Sequence, residues 1–186
     1  MRPGLFVGVL AVVVIAYVSL NTLRTEGPGS RGVPPGEPLP AFAVPLALSR
    51  LDGDANVSED ACRVRGRDVL NSCELAERGP LVLAFFAEPS ERCDAQVDVL
   101  DRVRERFPDV GFAAVAIRGD REALRRRVRE RGWRLPVGHD RDGAVANAYA
   151  VAICPTITFA AGGRVDSTAF GALDERALAA RVRELQ

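Results

Sequence analysis

The segment Phe85-Phe86-Ala87-Glu88-Pro89-Ser90-Glu91-Arg92-Cys93 constrains this chain most, because an apolar strand runs within a few residues into a helix whose first turn carries a cysteine. A thiol at that place sits beside unpaired backbone N–H groups at the positive end of the helix dipole. These favour thiolate over thiol and make the sulfur nucleophilic near neutral pH. A dithiol site of the Cys-x-x-Cys form would put its second sulfur at position 90, where this chain has Ser90. Cys93 therefore either pairs with a distant cysteine or has left dithiol chemistry.

The hydropathy pattern divides the chain. From Leu5 to Leu20 the residues are apolar except Ser19, close to the roughly 20 that a membrane-spanning helix needs. A cleaved signal peptide is the rival reading. The length of the run and the lack of a small-x-small cleavage site after it favour an uncleaved anchor over residues 1–24. Residues 25–40 are so rich in Pro and Gly that neither helix nor sheet propagates through them, and they read as a tether. Residues 41–186 have the size of one domain with a single sizeable core. Four cysteines in so small a domain fit an oxidising compartment. The expected placement is thus a single-pass membrane protein with its C-terminal domain on the extracytoplasmic side.

Charge excludes one partner class. The formal net charge is zero, and all 25 basic residues are arginine. The densest run, Arg125-Arg126-Arg127 with Arg129, Arg131 and Arg134, is interrupted by Glu130 and preceded by Glu122, so it reads as a solvated helix face and not as a nucleic-acid surface. His139 is the sole histidine and reads as a surface or turn residue. With scattered cysteines it makes no zinc spacing, and no cofactor or metal is expected.

Within the domain, Phe42, Val44 and Leu46 alternate as a first strand and Asp52-Gly53-Asp54 reads as a turn. Residues 56–78 show little period and contain Cys62 and Cys73. Residues 81–87 form a continuous apolar strand and 91–107 a helix with Val97, Leu100 and Val103 on one face. A second buried strand spans 112–117. Asp120 caps a helix through Arg131, with Leu124 and Val128 as its apolar contacts. Asp140-Arg141-Asp142-Gly143 reads as a turn before a short helix at 144–149. Strands at 156–160 and 165–170 flank Gly162-Gly163, a strong hairpin signal, and Asp174 caps a terminal helix. Trp133 is expected to pack beneath the helix it follows. Strands alternating with helices and ending in an antiparallel hairpin imply a mixed sheet covered on both faces.

From about Pro38 onward the chain resembles the membrane-anchored thioredoxin-like proteins of the TlpA/ResA type and, more loosely, the redoxin and peroxiredoxin group. FFAEPSERC matches the length of thioredoxin's FWAEWCGPC, with Ser90 at the attacking cysteine and Cys93 at the resolving one. Cys154-Pro155-Thr156-Ile157-Thr158-Phe159 looks like the family's cis-proline strand, and Gly162-Gly163-Arg164-Val165 like its hairpin. The resemblance implies an α/β, thioredoxin-like fold: a mixed central β-sheet flanked by helices on both faces, preceded here by a single transmembrane helix. It implies a cis Pro155, and it brings the residue before that proline, Cys154, to the start of the active-site helix. Thiol–disulfide exchange with protein thiols or disulfides would then run through a displaced pair, with Cys93 as the reactive sulfur and Cys154 as its partner. The alternative is that both are buried small residues in a non-catalytic binding module.

Ser90 either polarises Cys93, as in the Ser/Thr-x-x-Cys arrangement of peroxiredoxins, or caps the helix. Peroxide reduction is the weakest reading, since Phe86 replaces that family's proline and Cys154-Pro155 stands where its arginine would be. Thioredoxin's buried carboxylate is replaced by Ala84, leaving Glu88 as the only nearby acid, which either substitutes for it or is a solvated loop residue. Cys62 and Cys73 enclose a short loop and read as a structural bridge worth on the order of 2–3 kcal/mol, or else Cys73 serves Cys93 as an exchange partner. No residue pattern names an electron donor.

Overall fold

A computed structural model describes residues 12–17, 32–87 and 89–186. Its centre is a five-stranded sheet in the order β5-β4-β3-β6-β7, formed by β3 (Leu81–Ala87), β4 (Gly111–Ile117), β5 (Val137–Asp140), β6 (Thr156–Ala161) and β7 (Arg164–Phe170). β3, β4 and β5 run parallel, while β6 is antiparallel to both β3 and β7. Two short antiparallel strands, β1 (Ala43–Pro45) and β2 (Val69–Asn71), form a separate ribbon.

β3 shows why the sheet needs cover on both faces. Its side chains alternate with period two: Val82, Ala84 and Phe86 enter one core, and Leu81, Leu83 and Phe85 the other. The first core is closed by α2 (Glu91–Val103), α3 (Arg121–Arg131) and α5 (Glu175–Glu184), through Val97, Leu100, Leu124, Val128, Leu178 and Val182. The second is closed by the β1–β2 ribbon and α4 (Ala144–Ala148), with Leu75 of α1 (Ser72–Glu77) packed against it. Phe42 meets Tyr149 edge-on and Phe85 packs on it at a tilt, and the Tyr149 hydroxyl donates to the Pro40 carbonyl at 2.8 Å. The ribbon approaches β5 closely because position 138 is glycine; a Cβ there would lie 2.6 Å from Val44 Cγ2.

Several details differ from the sequence expectation. His139 is not a surface or turn residue: it lies in β5, is 2% exposed, and its Nε2 faces the carbonyls of Arg118 and Gly119 at 3.2 and 3.3 Å. Residues 56–78, which have little period, hold a 3-10 turn at Glu59–Arg63, then β2 and α1. Their organiser is the buried Asn71, which accepts from the Cys73 and Glu74 amides and donates to the Ala61 and Val64 carbonyls.

The second half of the Pro/Gly segment is docked, not free. The Gly36 amide donates to Val165 O at 2.7 Å, Leu39 to Gly163 O at 3.0 Å, and the Val165 amide returns a bond to Glu37 O at 2.9 Å. Val33 is buried. Proline-rich chain is already extended, and β7 is an edge strand with unpaired backbone groups, so the two suit each other. The anchor expected over residues 1–24 lies outside the described residues except for 12–17, which are helical and expose Val12, Val13, Val14, Ile15 and Tyr17. Among the described residues no helix is long and apolar enough to cross a membrane.

Candidate redox site

β3 ends at Ala87, and the chain turns at Ser90 into α2. Ser90 is the N-cap by position, with extended backbone, but its hydroxyl makes no capping bond. Its carbonyl instead accepts from the Cys93 and Asp94 amides at 3.0 and 2.9 Å. Cys93 stands in the first turn of α2 and is 2% exposed. Glu88 lies outside the described residues, and Ala84 is buried in the first core.

The other half of the site comes from the loop before β6. The Cys154–Pro155 peptide is cis. Pro155 is buried, and its carbonyl accepts from the Gly171 amide at 2.9 Å. Thr156 Oγ1 donates to the Ile153 carbonyl at 2.7 Å, tightening the loop. This folding brings Cys154 onto the start of α2, where its sulfur is 2.01 Å from that of Cys93, with the two Cα atoms 5.9 Å apart: a disulfide. Cys154 is half-buried and receives the Ala87 amide on its sulfur at 3.3 Å. Beside it Ile153 is 48% exposed, and Phe170, the β7 partner of Thr156, is 41% exposed.

Residues that carry no sequence signal hold α2 in place. Asp94 follows Cys93 and points inward, its side chain 1% exposed, paired with Arg127 and, at 3.7 Å, with Arg131 of α3. Both arginines also reach Glu91, and Arg131 reaches Asp98 at 3.0 Å. Burial pushes the Asp94 carboxyl above the usual aspartate range against the pull of the two arginines, whereas Arg131 and then Arg127 hold Glu91 below its usual range. Two members of the basic run therefore pair with α2 carboxylates. Trp133 does more than pack under α3: its indole N–H donates to Asp98 at 2.6 Å, and its ring meets Phe86 edge-on at 5.6 Å. Gln96, also buried, accepts from the Leu173 amide at 2.7 Å and ties α2 to the segment before α5.

Cys62 and Cys73 form the second disulfide, with Cα atoms 5.4 Å apart and a separation of 11 residues. It joins the 3-10 turn to α1 around the Asn71 hub. Closing a loop this short removes about 2–3 kcal/mol of freedom from the unfolded chain. Cys62→Ser should lower stability by that amount in chemical denaturation, with retention of wild-type stability as the contrary result.

The family model for AhpC/TSA matches residues 35–166, more than half of the chain and both halves of this site. The chain belongs to the AhpC/TSA family. No curated protein matches it in sequence. Among solved structures, this AhpC/TSA member is similar to a secreted Mycobacterium tuberculosis disulfide oxidoreductase homologous to E. coli DsbE, at 24% identity and a TM-score of 0.58, covering 63% of this chain and 89% of that one. A DsbF homologue from Corynebacterium diphtheriae aligns at 14% identity and a TM-score of 0.65, covering 87% and 96%. A thiol:disulfide interchange protein of the thioredoxin family from Chlorobium tepidum aligns at 16% and 0.62, covering 82% and 97%. At these identities the likeness establishes a thioredoxin-like fold.

Proposed function

We propose that this chain is a membrane-anchored, extracytoplasmic thiol–disulfide oxidoreductase of the TlpA/ResA type, working through the couple Cys93–Cys154 in place of a Cys-x-x-Cys pair. The observation that carries the proposal is the meeting of two cysteines 61 residues apart, one at a helix start and one before the cis proline. A helix start stabilises a departing thiolate, which exchange requires. The exposed Ile153 and Phe170 give a protein substrate apolar surface beside the disulfide. The apolar run Leu5–Leu20 supports the anchor, and the four cysteines support an oxidising compartment.

A binding module of the same fold is the second reading, favoured by the burial of Cys93 at 2%. Titration of the full chain in glutathione buffers, with alkylation and mass mapping, separates the two. Exchange requires Cys93–Cys154 to open and close reversibly while Cys62–Cys73 stays closed. A Cys93–Cys154 bridge that never opens in the folded protein leaves the binding module. Protease treatment of intact cells tests the topology: the domain should be cleaved from outside, and a shielded domain would refute that placement.

A further inference from the structure

We infer that Cys154, not Cys93, is the sulfur that carries the substrate, and that Cys93 is the resolving sulfur. This rests on the exchange activity proposed above; it keeps Cys93 at the resolving position with which it aligns and reverses its reading as the reactive sulfur of the pair. Two independent observations point the same way.

The first is access. An incoming thiolate must reach the sulfur it attacks, nearly in line with the bond that breaks. Cys93 is 2% exposed in the first turn of α2, whereas Cys154 is half-buried on a loop whose preceding residues, Ala152 and Ile153, are exposed. The second is the leaving group. Attack on a disulfide is faster when the departing thiolate is the better stabilised one. Attack at Cys154 expels Cys93, which departs as thiolate at the start of a 13-residue helix. Attack at Cys93 would have to reach a residue that is only 2% exposed.

The steps balance. A substrate thiolate attacks Cys154 Sγ; the Cys154–Cys93 bond breaks, its electron pair stays on Cys93, and a substrate–Cys154 disulfide forms. A second substrate thiolate then attacks the substrate sulfur, releasing oxidised substrate and the Cys154 thiolate, onto which the Ala87 amide is already directed at 3.3 Å. In the opposite direction, Cys154 thiolate attacks a substrate disulfide, and Cys93 thiolate attacks Cys154 Sγ to re-form the internal bridge and release substrate thiolate. Substrate is joined to Cys154 in both directions.

The test treats the oxidised full chain with a single-thiol peptide, quenches with acid and maps the adduct. The peptide should be found on Cys154. In parallel, reduced Cys93→Ser and Cys154→Ser are exposed to glutathione disulfide; the Cys93→Ser chain should acquire glutathione on Cys154 at least about tenfold faster than the Cys154→Ser chain acquires it on Cys93. Wild-type protein needs no substitution to fold, so its adduct map decides even if a variant is unstable. Adducts on Cys93 overturn the role assignment and leave the exchange activity standing. Adducts on neither cysteine, in wild type or variants, overturn the exchange reading and the assignment with it.

Discussion

Cys93→Ser and Cys154→Ser should each reduce the disulfide exchange of the full chain to the uncatalysed background, measured as reduction of a disulfide-linked reporter such as insulin, while Cys62→Ser keeps most of it. Exchange needs two sulfurs that hand one bond back and forth; with one removed, the cycle halts after a single mixed disulfide. The contrast with Cys62 follows from the positions of the bridges. Cys62–Cys73 fastens the 3-10 turn to α1, whereas Cys93–Cys154 joins the α2 start to the cis-proline loop. Retained exchange in Cys93→Ser or Cys154→Ser, or loss of it in Cys62→Ser, would reverse this division. Ser90→Cys adds a second test. Position 90 is the N-cap of α2, three residues before Cys93, so in a Cys154→Ser background it offers Cys93 a new partner one helical turn away. That double variant should regain dithiol activity; continued inactivity would mean that the turn no longer holds Cys-x-x-Cys geometry.

What could be read from the residues follows from which interactions leave a side-chain signature. β3 and β4 announce themselves as unbroken apolar runs because both of their faces are buried. α3 and α5 begin at Asp120 and Asp174, whose carboxylates do accept the expected capping amides, from Ala123 and Ala177. β5 hides because Val-Gly-His-Asp has neither alternation nor length, and Gly138 and His139 serve neighbours far away in sequence. The docking of residues 36–39 on β7 hides for another reason: backbone bonds carry it, and these write nothing into composition. Of the site, Cys93 was legible from local context alone. Its meeting with Cys154 depends on the whole topology and entered only through the resemblance to a known fold. Asp94 had no signal, since a charged residue in the first turn of a helix reads as solvated until α3 is seen covering it.

That buried carboxylate leads to the largest expected loss of stability away from the cysteines. Arg127→Ala should cost about 3 kcal/mol, because removing one partner of a buried pair strands the other's charge; Arg131, at 3.7 Å, compensates only in part. The effect should depend on pH, with a definite sign. Burial already raises the folded Asp94 carboxyl above its unfolded value. Its contribution is therefore fully present below the unfolded carboxylate pKa and is lost as pH rises through the folded value. Taking away Arg127 removes a charge that lowers it and moves the folded value further up. The stability gap between wild type and Arg127→Ala should thus widen as pH rises above the ordinary carboxylate range in denaturant unfolding. Asp94→Asn in the Arg127→Ala background should abolish that widening, since the amide carries no charge to strand. A gap that stays constant across pH would mean that Arg127 does not move the Asp94 titration, and would assign the loss to packing of the arginine stem.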